Sequence, residues 1–148
     1  MTGRHPGHAT IRANSSQTIG EEEVTVGSVL KGCGYATGLF GKWGLGNRSR
    51  AHPLDMGFDR FVGYLSQMRA HSYYPDYLVE DRGTLELDNN PPVPGHAALG
   101  EDKDLNDPAS YKRFKGTDYA PDRINDALLS WIRANKSRPF FVYYATIL

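Results

Sequence analysis

Tyr35-Ala36-Thr37-Gly38-Leu39-Phe40-Gly41-Lys42-Trp43-Gly44-Leu45-Gly46 is the stretch whose reading decides the fold. Its first six residues are apolar enough for a short buried strand, and the glycine cluster after them predicts a strand-to-loop exit with Lys42 in it. Glycine leaves no Cβ in the way, so an oxyanion can come close to backbone and ammonium alike. Two nucleotide readings fail on spacing. A P-loop wants a glycine five places before Gly41 and a hydroxyl after the lysine, where this chain has Ala36 and Trp43. A dinucleotide fingerprint beginning at Gly44 would need a third glycine where Ser49 stands.

Working outward, Thr25 is a plausible N-cap for a helix of about ten residues. Val26, Val29, Leu30 and Cys33 fall at i, i+3, i+4 and i+7, which predicts one buried stripe with Cys33 as a small core residue. Gly34 suits the position just past the helix end. A second helix is predicted over residues 121–135. Pro121 sits in its first turn, Asp122 at its positive end, and Ile124, Ala127, Leu128, Trp131 and Ile132 line one face. Phe140 to Leu148 is near-continuously apolar, as in a strand buried on both faces of a sheet. Phe58, Phe61, Val62, Tyr64 and Leu65 form an apolar cluster read as strand or turn, and residues 47–57 read as loop. Residues 81–118, with Asn90-Pro91-Pro92-Val93-Pro94-Gly95 at their centre, read as a loop excursion. Two helix-then-strand units favour an α/β fold.

Composition excludes more than it selects. The 148 residues carry 17 Lys+Arg against 17 Asp+Glu, a net charge of zero, which offers no basic stripe for nucleic acid. No apolar run approaches the roughly 20 residues that span a bilayer, and no secretory leader opens the chain. The single cysteine, Cys33, allows no intramolecular disulfide.

Several segments, in order, resemble the sulfatases. Gly41-Lys42-Trp43-Gly44-Leu45-Gly46 is similar to their second signature, and Thr2-Gly3-Arg4 resembles the end of the first, whose core is Cys/Ser-x-Pro-Ser-Arg. Val24 to Thr37 is similar to the family's approach to the lysine. His52-Pro53, Gly57-Phe58-Asp59-Arg60-Phe61-Val62-Gly63-Tyr64 and Ala70-His71-Ser72-Tyr73-Tyr74-Pro75 resemble the family's segment on the C-terminal side of that lysine. Arg138-Pro139-Phe140-Phe141-Val142-Tyr143-Tyr144 resembles the strand ahead of a Pro-His active-site pair. The resemblance implies an alkaline-phosphatase-like α/β fold, a mixed sheet flanked by helices. It also implies that residues 1–148 are an internal piece of a sulfatase catalytic domain. A missing leader is then uninformative, and the family implies a periplasmic or secreted enzyme.

The resemblance further implies hydrolysis of a sulfate ester by a formylglycine nucleophile with Ca2+, both expected from residues outside this chain. Lys42 would bind sulfate oxygens and stabilise developing charge. Many sulfatases carry histidine two places beyond the lysine; Gly44 stands there, and His71 is the candidate to supply the missing imidazole. Gln67 is implied as a pocket-lining residue. Arg4 is implied as a brace for the helix that presents the nucleophile, with substrate contact as the other reading. The expected ligand is a sulfated small molecule or glycan. A phosphoester or phosphonate hydrolase of the same superfamily, or a non-catalytic sulfated-glycan binding remnant using Tyr73 and Tyr74, are the alternatives.

Other chemistry-bearing residues carry bland readings. Cys33 lacks the Cys-x-Pro-Ser-Arg context. His5 and His8 are separated by Pro6 and Gly7, which argues against a zinc pair. Glu21-Glu22-Glu23 suits the positive end of the helix behind it. Asn14-Ser15-Ser16, Asn47-Arg48-Ser49 and Asn135-Lys136-Ser137 match the glycosylation sequon, a pattern too short to weigh.

Overall fold

The computed structural model describes residues 1–13, 17–46 and 51–147, so two of the sequons, at 14–16 and 47–49, lie outside it. In chain order the regular elements are α1 (Val26–Gly32), β1 (Ala36–Lys42), β2 (Arg60–Tyr64), β3 (Tyr77–Glu80), β4 (Gly83–Glu86), α2 (Ala120–Asn135) and β5 (Phe140–Ala145). They build a five-stranded mixed sheet in the order β4-β3-β2-β1-β5. β2 and β5 pair parallel to β1 on its two sides, while β3 and β4 continue antiparallel.

β1 is an interior strand between β2 and β5, and its side chains pack against a core on each face, as parallel strands demand. Phe40 joins Val62, Leu78, Ile124 and Leu128 in one core, under α2. Leu39 joins Phe58, Phe61, Trp43 and Met56 in the other. α2 begins one residue before the sequence reading placed it, and its Ile124 and Leu128 are buried as the periodicity requires.

α1 lies over the second core and differs from expectation. Its Thr25 cap is present, with Ser28 completing a capping box. The helix is seven residues long and stops at Gly32, so Cys33 is an exposed cap residue rather than a core one. Val29 is 51% exposed. The face that meets the core is instead Gly27, where an added Cβ would lie 3.1 Å from the Met56 carbonyl and the Phe58 ring. Backbone approach, not a stripe of side chains, seats this helix. Asp59 then ties it down, accepting from Lys31 at 2.8 Å and from the Thr37 amide at 3.0 Å. Burial alone would raise the Asp59 carboxyl, but Lys31 and Thr37 outweigh it and hold the group below its ordinary value.

Two other expectations change. β5 is an edge strand, with Tyr143 and Tyr144 exposed, because only β1 pairs with it among the described residues. The stretch read as an excursion opens with β4, which hairpins onto β3, and holds a 3-10 helix at Pro108–Phe114, so only the remainder is irregular. Asn135 is buried with its amide on the Trp131 carbonyl, which leaves the third sequon inaccessible. No helix among the described residues is long and apolar enough to cross a membrane.

At the carboxyl end of β1, Gly41 has φ +111°, and a Cβ there would sit 2.0 Å from the Ala145 carbonyl oxygen of β5. Gly41→Ala is expected to cost about 3 kcal/mol or more in urea unfolding, since positive-φ strain and a backbone clash add. His52 is also informative. It is 8% exposed, accepts from the Leu54 amide at Nδ1, stands edge-on to Phe61, and leaves Nε2 without a partner among the described residues. Burial, followed by nearby Arg82, lowers its pKa, so the native state holds it neutral. The unfolded chain therefore binds the extra proton below about pH 6.5, and stability is lost as pH falls from there towards the lowered native value. Urea midpoints should decline more steeply between pH 7.5 and 5.5 for the wild type than for His52→Gln.

Candidate functional site

Lys42 is the last residue of β1, opposite Tyr64 in the parallel register with β2. The pairing runs on past the strand: the Trp43 amide donates to Tyr64 and the Gly44 amide to Leu65. That continuation fixes which side each residue faces. The Trp43 indole turns into the core, edge-on to Phe58, and donates Nε1 to the Ala51 carbonyl at 2.7 Å. Lys42 is half-buried in a cleft of about 160 Å³ shared with Ile11, Ala13, Gly44, Leu45 and Gln67. The cleft opens at the carboxyl ends of parallel strands, where open α/β sheets hold their ligands.

Inside it, the Lys42 ammonium donates to Gln67 Oε1 at 2.7 Å. An ammonium has three donors, and this contact uses one. Among the described residues no carboxylate neutralises Lys42, so two of its donors and its charge have no counterpart there. At Gly44 an added Cβ would begin 3.6 Å from Gln67 Oε1 and 3.9 Å from Lys42 Cε. The space a side chain at that position would enter is the space beside the Gln67 amide.

His71 lies one turn further along the chain. Residues 66–71 wind through Ala70 N–H to the Ser66 carbonyl and His71 N–H to the Met68 carbonyl, ending in the 3-10 turn Arg69–His71. Gln67 precedes this 3-10 turn and His71 ends it, so the two side chains point to different places. His71 does not line the Lys42 cleft; it is exposed and faces the ring of His96 at 4.0 Å between centroids. The base of this turn is fixed by Tyr64, whose hydroxyl donates to the Ser72 carbonyl at 2.7 Å, and burial holds that phenol's proton on well above the ordinary range.

Arg4 is placed apart from Lys42. It lines a separate cavity of about 210 Å³, whose walls Ile11 and Leu45 are shared with the lysine cleft, and pairs with Glu23 at 3.1 Å. Glu23, read from sequence as a solvated helix-end charge, is buried by that pair. His5 caps a 3-10 turn at Pro6–His8 through Nδ1, accepting from Gly7. Sequence reasoning passed over His96 and Asn89. Both sit in a loop with no periodic signal, and a Gly95-His96 dipeptide offers none either.

Removing the lysine side chain should leave the fold standing. Lys42→Ala is expected to change unfolding free energy by less than about 1 kcal/mol, because Gln67 is its one polar contact among the described residues. Thermal melts would check this.

A family model described as Sulfatase matches residues 1–147. Steryl-sulfatase of Mus musculus is 42% identical over 79 residues, covering 43% of this chain and 13% of that protein. N-acetylgalactosamine-6-sulfatase of Sus scrofa is 37% identical over 75 residues, covering 43% and 14%. A solved structure in complex with its substrate, D-glucosamine-2-N,6-O-disulfate, matches with a TM-score of 0.62 at 21% identity, covering 97% of this chain and 22% of that one. At such identity the likeness is one of fold, and that fold is the alkaline-phosphatase-like α/β sheet, here in part. The chain spans only a small share of the length of each of these proteins. With the Gly-Lys-Trp-Gly-Leu-Gly stretch at the head of its cleft and the family model matching residues 1–147, the chain belongs to the sulfatase family.

Proposed function

We propose that this chain is the lysine-bearing segment of a sulfuric ester hydrolase, and that Lys42 holds the sulfate group in its cleft. The observation that carries the reading is an ammonium with donors to spare, half-buried and without a carboxylate partner among the described residues. A sulfate monoester presents three outer oxygens with spread negative charge, and charge-assisted hydrogen bonds to them are roughly twice as strong as neutral ones. As charge develops on the leaving oxygen, a fixed cation in a partly desolvated cleft stabilises the transition state more than the ground state. Gln67 holds the ammonium through its carbonyl, leaving its amide N–H groups as donors towards the same anion. His71, whose ring stands outside the cleft, would act as acid or donor towards the part of the ester that projects beyond Gln67. Arg4, already paired with Glu23, serves as a brace.

The sulfatase family works with Ca2+ and a formylglycine. Among the described residues no set of three or more His, Cys, Asp or Glu side chains could hold a metal ion. Cys33, at a helix end with glycine after it, does not match the modification motif. The residues present do not fit either group, so no step is derived through them. We assign both to parts of the parent enzyme beyond this chain. The names of the relatives, a steroid and an amino-sugar sulfatase, together with the disulfated glucosamine of the solved neighbour, support a sulfated small molecule or glycan as ligand. The periplasmic or secreted location that the family implies belongs to the same proposal.

The 148-residue chain should bind and not turn over. Titrated with N-acetylgalactosamine-6-sulfate, it should show ligand-dependent NMR shifts around Lys42, Gly44 and Gln67, lost in Lys42→Ala. With an aryl sulfate it should show no hydrolysis above background. Turnover by the chain alone, or identical shifts in Lys42→Ala, would overturn the assignment.

A further inference from the structure

We propose that His96 is a positioning residue for His71, delivered by the excursion loop; this rests on the sulfate-site reading of Lys42 and His71. The loop is not a free arm. Asn89, 3% exposed, pins both of its ends: its amide N–H groups donate to the carbonyls of Pro75 at 2.8 Å and Asp118 at 2.7 Å. Its Oδ1 accepts from the Thr117 and Asp118 amides, each at 2.9 Å. From that neck the chain runs back along residues 71–74. The Val93 amide donates to the Tyr74 carbonyl at 3.0 Å, and the Ser72 hydroxyl donates to the Val93 carbonyl. Gly95 then lies so close to His71 that an added Cβ would meet its carbonyl carbon at 2.7 Å and its Cβ at 2.8 Å. That contact places the next residue, His96, ring to ring with His71, centroids 4.0 Å apart and planes tilted by 42°.

The consequence concerns order rather than contact area. An exposed imidazole on a short turn samples several rotamers, and holding it still costs side-chain entropy each time a ligand binds. Here the Tyr64 hydroxyl fixes the backbone at Ser72, the residue after His71, and the His96 ring packs against the His71 ring. The imidazole is therefore presented in one orientation before any ligand arrives, which is preorganisation. No single sequence segment carries this arrangement. It is made by two stretches about 25 residues apart, joined by a loop whose composition reads as featureless.

The test uses the 148-residue chain, with His96→Ala, His96→Phe and Lys42→Ala compared by NMR during titration with N-acetylgalactosamine-6-sulfate. His96→Ala should move the His71 ring-proton signals and weaken binding about three- to tenfold, the worth of an aromatic pair. His96→Phe, which keeps a ring without the imidazole nitrogens, should restore most of the affinity. Unmoved His71 signals in His96→Ala, or a phenylalanine variant no better than alanine, would overturn the positioning role. Unchanged binding in Lys42→Ala would instead overturn the underlying sulfate-site reading, and the His71 signals would still decide whether the two rings are coupled.

Discussion

Three parallel strands meet at a point where two of them have no side chain. Gly41 faces Gly63 of β2 on one side and Ala145 of β5 on the other, and a Cβ at Gly63 would fall 1.9 Å from the Gly41 carbonyl oxygen. Backbones packed this closely set the register of the carboxyl ends, and that register decides which side chains reach the cleft. It puts Lys42 beside Tyr64, sends Trp43 into the core, and lets the strand pairing continue to Leu65. The next two residues then bring Gln67 within reach of the ammonium. A one-residue slip would exchange the places of the charged and aromatic side chains.

How much of this the sequence carried depends on the kind of signal each element uses. β1 and α2 were legible because their burial is written in side chains: an apolar run, and a 3.6-residue stripe through Ile124 and Leu128. α1 was only half legible. Its cap is encoded by Thr25 and Ser28, but its seat on the sheet is the bare Cα of Gly27, which no hydrophobic pattern registers. The stripe through Cys33 was a chance periodicity in a helix too short to use it. β5 has the composition of a buried strand and occupies an edge, since composition records what could pack against a strand and not what does.

The site divides in the same way. Lys42 was marked by its glycines, and the order of matching segments gave the family. The amide that holds the ammonium was named only as a lining residue, because a contact across 25 positions has no local signature. Gly44 leaves open the volume beside that amide.

The neck closed by Asn89 has a consequence of its own. Four hydrogen bonds from a single buried carboxamide fasten residues 75 and 117–118 together, so both feet of the loop are anchored independently of what lies between. Loop-closure entropy grows only slowly with length, which means the intervening stretch is free to lengthen, shorten or change composition at little thermodynamic expense. Such a clasp makes the loop a replaceable cassette, able to change beside the Lys42 cleft while the sheet and its lysine stay as they are.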